Sequence, residues 1–293
     1  MTTLPQSESR LSSWNPRDIA PAALAAVAAA VLFARPAALL GRDWWNDPEA
    51  GHGLLLAPLA VWLAWRRGLA SDRTPSPVLG AVILLAAVAL RYLGGLAAEL
   101  FTMRFSIVVA LAGLTVFAWG LGQLRRWWLP AALLALSVPI PALVTNALAL
   151  PLQFKASSMG ATLLEWRHVP VQLAGNVIDL PGRRLFVTEA CSGLRSLTAL
   201  LSLGVLIGGL WLRSVPSRLL LIGLAIPVAI AVNAVRVFMT GFLVYFVDPK
   251  LGEGFMHLTE GWLLFVVAFV ILGGTAWLAS AVERRWYRRR AHA

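Results

Sequence analysis

Apolar residues in this chain come in long unbroken runs separated by short polar links, at roughly 18–40, 53–65, 77–97, 105–122, 127–150, 190–212, 217–247 and 260–281. A helix rises 1.5 Å per residue and a bilayer's hydrocarbon core is about 30 Å thick, so about 20 apolar residues make one span. The run at 53–65 is short and borrows from Gly51-His52-Gly53 and Arg66. The run at 217–247 is long and contains Pro227, which predicts a kink or a tilt. The pattern predicts an all-α polytopic membrane bundle of about eight transmembrane helices over 18–281. A disordered cytoplasmic tail, 1–17, precedes it and a basic tail, 282–293, follows. No convincing cleavage site follows the first run, so it reads as a retained span.

The one large link, 151–189, predicts an amphipathic, interface-lying stretch around Leu152–Trp166 and then a short β-hairpin. Its strands are Val169–Leu173 and Val177–Leu180, with turn residues at Gly175-Asn176 and Pro181-Gly182. No repeat, low-complexity tract or separate soluble domain interrupts the chain.

Composition agrees with the pattern. Hydrophobic residues make up 59% of the chain and charged residues 13%, about half the charged fraction a soluble domain carries; mean hydropathy is +0.74. The net charge of +11 does not indicate nucleic acid, because the arginines sit in short links (Arg66-Arg67, Arg125-Arg126, Arg213 with Arg218) and in the C-terminal tail. With the N-terminus inside, the cytoplasmic segments hold 14 Lys and Arg against seven on the other side, with four inside the runs. That bias predicts both termini in the cytoplasm and the 151–189 loop outside. The basic tail is expected to touch anionic membrane lipids. A single cysteine excludes an internal disulfide.

That cysteine, Cys191, lies in Val187-Thr-Glu-Ala-Cys-Ser-Gly-Leu-Arg195, between a polar loop and an apolar run. Counted from the cytoplasmic ends of their runs, Cys191 lies about 33 Å away, Arg236 about 28 Å and His257 about 40 Å. Three runs thus deliver Cys, Arg and His to one outer slab, although depth says nothing of lateral distance. Each residue alone has a plainer role: a small buried thiol, a snorkelling arginine, a structural histidine. Jointly they define a candidate site. Arg195, four residues after Cys191, or Arg236 would favour the thiolate. Glu189 would orient a base or pair with an arginine. Asn233 and Arg236 share one helix face, and Glu260 would fix the His257 tautomer. Glu189 and His168 stand in reserve as bases.

A second polar cluster is Trp44-Trp45-Asn-Asp47-Pro-Glu49-Ala-Gly-His52-Gly53. The tryptophans read as an interfacial belt. Two carboxylates and one histidine in a loop are weak grounds for a metal, and neither a metal nor another cofactor is expected.

Glu189-Ala-Cys-Ser-Gly-Leu-Arg-Ser196, then Asn233-Ala-Val-Arg236, then His257 resemble the exosortase/archaeosortase family of membrane transpeptidase-like enzymes. Asp47-Pro-Glu-Ala-Gly-His-Gly-Leu-Leu55 also looks like that family's early segment. The resemblance covers roughly 44 to 265. It implies a cysteine peptidase or transpeptidase with catalytic Cys191, Arg236 and His257 at the outer face of a bacterial inner membrane. It implies protein substrates whose C-terminus carries a short motif such as Pro-Glu-Pro, a transmembrane helix and a basic end. Some relatives carry a further soluble domain linked to exopolysaccharide; here that link would run through partner machinery. The competing reading is a non-catalytic membrane component of envelope or exopolysaccharide export.

Overall fold

The computed structural model describes residues 16–187, 194–248 and 255–291, with side chains described outside 16–26, 142, 194–195, 255–262 and 291. Ten helices and three short strands occur among the described residues, in the order α1 (Pro16–Asn46), α2 (Gly53–Arg67), α3 (Pro77–Leu96), α4 (Leu100–Trp119), α5 (Leu121–Arg126), α6 (Trp128–Leu136), α7 (Ala142–Trp166), β1 (Gln172–Ala174), β2 (Val177–Leu180), β3 (Arg183–Phe186), α8 (Leu194–Trp211), α9 (Val215–Phe246) and α10 (Phe255–Ala291). The chain is an all-α membrane protein with one small sheet. Residues 1–15 of the expected N-terminal tail lie outside the described residues.

The expected eight spans need correction. Among the described residues, four helical segments are long and apolar enough to cross a membrane: Pro77–Leu96, Leu100–Trp119, Val215–Phe246 and Leu263–Arg290. Helix α2, at 15 residues, reaches only about 22 Å. The run at 127–150 is not one helix. It breaks at Ser137-Val-Pro-Ile-Pro141, because neither proline has an N–H to donate and each forces its predecessor out of the helical region. The nine-residue α6 precedes the break and the 25-residue α7 follows it. The stretch around Leu152–Trp166 is therefore the second half of a helix that starts at Ala142. Helix α9 passes through Pro227 as one 32-residue helix. Helix α10 continues through the basic tail to Ala291.

Apolar packing assembles the C-terminal half around α9. Leu200 and Ile207 of α8, Leu221, Ala225 and Ala229 of α9, and Ala268, Leu272 and Ala276 of α10 form one buried cluster. The three helices therefore pack on one another. At the opposite end from the start of α8, the Glu283 carboxylate of α10 accepts the N–H groups of Arg213 (2.9 Å) and Ser214 (3.0 Å). This ties the α8–α9 link to α10 and satisfies donors that a helix start leaves open.

Helix α7 lies along the other side of α9, running in the same direction. A Cβ on Gly160 would meet Val237, and one on Gly241 would meet Leu164, four residues on in both helices. Above this pair sits the sheet, a meander of order β1-β2-β3. Both expected turns are present, with Gly175 at φ 65° and Gly182 at φ 79°. Gly175 comes first in its two-residue loop, whereas Pro181-Gly182 has the residues and glycine φ of a type II turn. The sequence reading missed β3, whose Arg184 faces Asp179 across the ladder and pairs with it at 2.8 Å. Ile178, Leu180 and Val187 bury their side chains with Ala161 and Leu164 of α7 and Val237 and Val244 of α9.

Candidate functional site

Arg236 occupies a defined line on α9. Gly204 of α8 lies against Ile222, and Gly208 against Arg218, with an added Cβ 3.5 and 3.7 Å from their respective Cα atoms. Both pairs sum to 426, the constant expected for antiparallel helices of equal rise, which carries the start of α8 at Leu194 level with about residue 232. Arg236 is 18 residues beyond Arg218, five turns at 3.6 residues per turn, so it returns to the face of α9 that meets α8. Asn233, one turn before Arg236, is buried at 4% exposure, and both residues are engaged in contacts.

The neighbouring residue, Val237, faces α7 and belongs to the apolar cluster that also contains Val187, the last described residue before the 188–193 segment. The Val187 N–H donates to the Asn176 carbonyl (2.9 Å), and the Asn176 amide donates to the Val187 carbonyl (3.1 Å). The chain therefore enters the segment from a fixed point beside Val237 and leaves it at Leu194, about one turn below Arg236. Cys191 and Glu189 belong to that segment and lie outside the described residues. Arg195 falls in the first turn of α8 and His257 and Glu260 in the first two turns of α10; their side chains lie outside the description. The fold thus brings together the three helices that carry or adjoin Cys191, Arg236 and His257. His168 closes α7 with φ 60°, its N–H donating to the Glu165 carbonyl at 2.8 Å, in the place a helix usually gives to glycine.

A second centre forms from the N-terminal cluster and from residues that the sequence reading did not single out. Arg104 of α4 pairs with Asp43 of α1 at 2.5 Å, with side-chain exposures of 10% and 23%. Glu99 caps α4 by accepting the N–H groups of Phe101 (3.0 Å) and Thr102 (2.6 Å). Burial raises the Asp43 carboxyl above its ordinary range, against the pull of Arg104 and with a further push from Asp47. Burial also works to raise Glu99, but hydrogen bonds from Thr102 and Phe101 and the charge of Arg104 leave it below the ordinary range. One signal in the sequence pointed here: Asp43 follows the first apolar run and Arg104 precedes the fourth, so alternating spans put these opposite charges on the same side.

The aromatic and histidine residues of this cluster hold backbone. Trp44 donates its indole N–H to the Ser137 carbonyl at 2.7 Å, so it is a packing residue, whereas Trp45 is 79% exposed as an interfacial residue would be. The His52 ring nitrogens lie 3.0 Å from the Glu49 carbonyl and 3.1 Å from that of Leu136. Asp47 accepts the Glu49 N–H at 2.8 Å. Together these contacts hold the α1–α2 link against the proline break after α6. A cavity of about 1010 Å³ lies between them and the face of α8 bearing Thr198, Leu201 and Ser202.

Four long apolar helical segments among the described residues define a multi-pass membrane protein. The chain belongs to the transmembrane exosortase family, whose family model matches residues 44–274. That match takes in α2 through α9, the Cys191 segment, His257 and most of α10. Comparison with curated proteins and with solved structures gives no match.

Proposed function

We propose that the chain is a membrane cysteine peptidase or transpeptidase that cleaves C-terminal sorting signals of secreted proteins. Catalysis rests on Cys191, Arg236 and His257. The observation that supports the reading is the position of Arg236: it lies on the α8-facing line of α9, next to Val237, which packs with Val187, and about one turn from the level of Leu194, the two described residues that flank the stretch containing Cys191. His257 belongs to the first turn of α10, the helix whose Ala268, Leu272 and Ala276 pack into the cluster shared with α8 and α9.

The chemistry is acyl transfer through a thioester. The Cys191 thiolate attacks the scissile carbonyl, the C–S bond forms, and the peptide C–N bond breaks as His257 protonates the leaving amine. Water or an acceptor nucleophile then gives its proton to His257, attacks the thioester and frees the thiolate. Arg236 stabilises the thiolate or the oxyanion, a kind of contribution worth roughly 3–4 kcal/mol per donor where measured. Glu189, Arg195 and Asn233 support these groups. The substrate parks its own helix against the bundle and leaves its motif at the outer face of a bacterial inner membrane, with both enzyme termini in the cytoplasm. No metal or other cofactor takes part in this scheme.

The test is to co-express the chain with a reporter protein ending in a Pro-Glu-Pro motif, an apolar helix and a basic tail, and to read cleavage by mass. Arginine stays cationic at any usable pH, so Arg236→Lys should retain more activity than Arg236→Ala, and raising the pH should rescue neither. His257→Ala should lose most turnover together with the fall in rate on the acid side of neutrality. A His257→Ala protein with the wild-type rate and pH profile would remove His257 from the mechanism.

A further inference from the structure

We infer that Gly160 of α7 is a positioning residue for Arg236: its missing side chain lets α7 hold α9 at the height and rotation the guanidinium needs. The inference rests on the proposed catalytic role of Arg236. A Cβ at Gly160 would stand 2.5 Å from Val237 Cγ1, 2.9 Å from Val237 Cβ and 3.4 Å from the Phe238 nitrogen. Val237 is β-branched and held to essentially one helical rotamer, and its Cβ cannot rotate away at all. An ordinary contact begins near 3.4 Å, so an alanine at 160 must move the α9 backbone at Val237 by about 0.5 Å or more.

That displacement has few ways to dissipate. Val237 and Val244 of α9 are buried with Ala156, Ala161 and Leu164 of α7, Ile178 of β2 and Val187 just after β3. A second close approach, Gly241 against Leu164, lies one turn further along both helices. On the α8 side, Ala225 and Ala229 are fully packed. A push at Val237 therefore becomes a shift or rotation of the outer end of α9, and Arg236 is the adjacent residue. The same push leaves Val187, packed with Ala161 and Leu164 of α7, on the α7 side of the contact, so the position of Arg236 relative to Val187 changes. Misplacements of about 1 Å at catalytic groups cost on the order of 100-fold in rate.

The experiment uses the full chain in lipid nanodiscs, with the same reporter substrate. Because Cys191 is the sole thiol, the pH profile of its alkylation reads thiolate stabilisation at one site without any substrate. Gly80 provides the control: at the α3–α4 contact a Cβ would meet the Phe117 backbone Cα at 2.4 Å, a steric insult at least as severe elsewhere in the bundle. Gly160→Ala is expected to lower kcat by roughly 10- to 100-fold at unchanged KM and to move the alkylation profile to higher pH. Gly80→Ala should do neither. Adding Val237→Ala to Gly160→Ala, which removes the 2.5 Å contact, should recover part of both losses.

If Gly160→Ala fails to accumulate, Val237→Ala alone loosens the same contact without adding an atom and should lower kcat with KM intact. Wild-type kcat and alkylation profile in Gly160→Ala, or in Val237→Ala in that case, would overturn the inference. Arg236→Ala, measured in parallel, separates the two levels. If it loses turnover while the variants at the 160–237 contact do not, only the positioning role falls. If Arg236→Ala itself is active, the catalytic reading of Arg236 falls and the positioning role with it.

Discussion

Val187 and Val237 are buried in one apolar cluster, four residues before Cys191 and one residue after Arg236. The sheet is thus the clamp that fixes where the Cys191 segment begins relative to α9. Val187→Ala removes two methyl groups from a site 3% exposed and should cost about 2 kcal/mol of stability. If the clamp positions the segment, turnover should fall at temperatures where the variant is still fully folded. Unchanged turnover of folded Val187→Ala, against thermal unfolding measured on the same sample, would make the cluster a matter of stability alone.

The Asp43–Arg104 pair predicts a pH-dependent stability. Asp43 is raised by burial, with Arg104 opposing, so removing Arg104 leaves a carboxylate whose ionisation the fold resists. Arg104→Met should cost on the order of 2–3 kcal/mol at neutral pH, less than a wholly buried pair because Asp43 keeps 23% exposure. A group with a raised folded value stabilises most below its unfolded value and loses that contribution as pH rises through the folded one. The cost of Arg104→Met should therefore shrink in acid, and Asp43→Asn in the same chain should recover part of it. Thermal unfolding at two pH values decides this; a cost that grows in acid contradicts it.

Glu99 carries the opposite sign. Its carboxyl lies below the ordinary range because of Thr102, Phe101 and Arg104, so its contribution is present above about pH 4.3 and is lost as pH falls through the lower folded value. Glu99→Gln should cost about 0.5–1 kcal/mol near neutrality through the weakened cap and dipole interaction. The gap to wild type should close once pH has fallen below that lower folded value. A gap that persists there would show that the charge at Glu99 is not what stabilises the start of α4.

Much of this fold was legible in the sequence, and the exceptions have physical causes. Runs of apolar residues announced α3, α4, α9 and α10, and Gly175 and Gly182 announced the sheet's turns because only glycine takes their φ cheaply. The span count came out too high because run length counts carbon, not hydrogen bonds: Pro139 and Pro141 split one run, and α2 stops short. Strand β3 was missed because Arg183 and Arg184 read as loop, while an exposed edge tolerates such charges. Depth arithmetic put Arg236 at the level of the Cys191 segment, but its direction on α9 emerged only from the Gly204–Ile222 and Gly208–Arg218 contacts. The Asp43–Arg104 pair was not anticipated, because pairing across 61 residues leaves no local pattern.

The proposed chemistry requires that Cys191 carry the substrate as a thioester. Intact-mass analysis of the enzyme after rapid acid quench, during turnover of the tagged reporter, looks for that adduct. A species heavier by the mass of the cleaved reporter's N-terminal fragment, released by hydroxylamine and absent from Cys191→Ala, is the predicted result. Processing of the reporter by Cys191→Ala at the wild-type rate would contradict the claim outright.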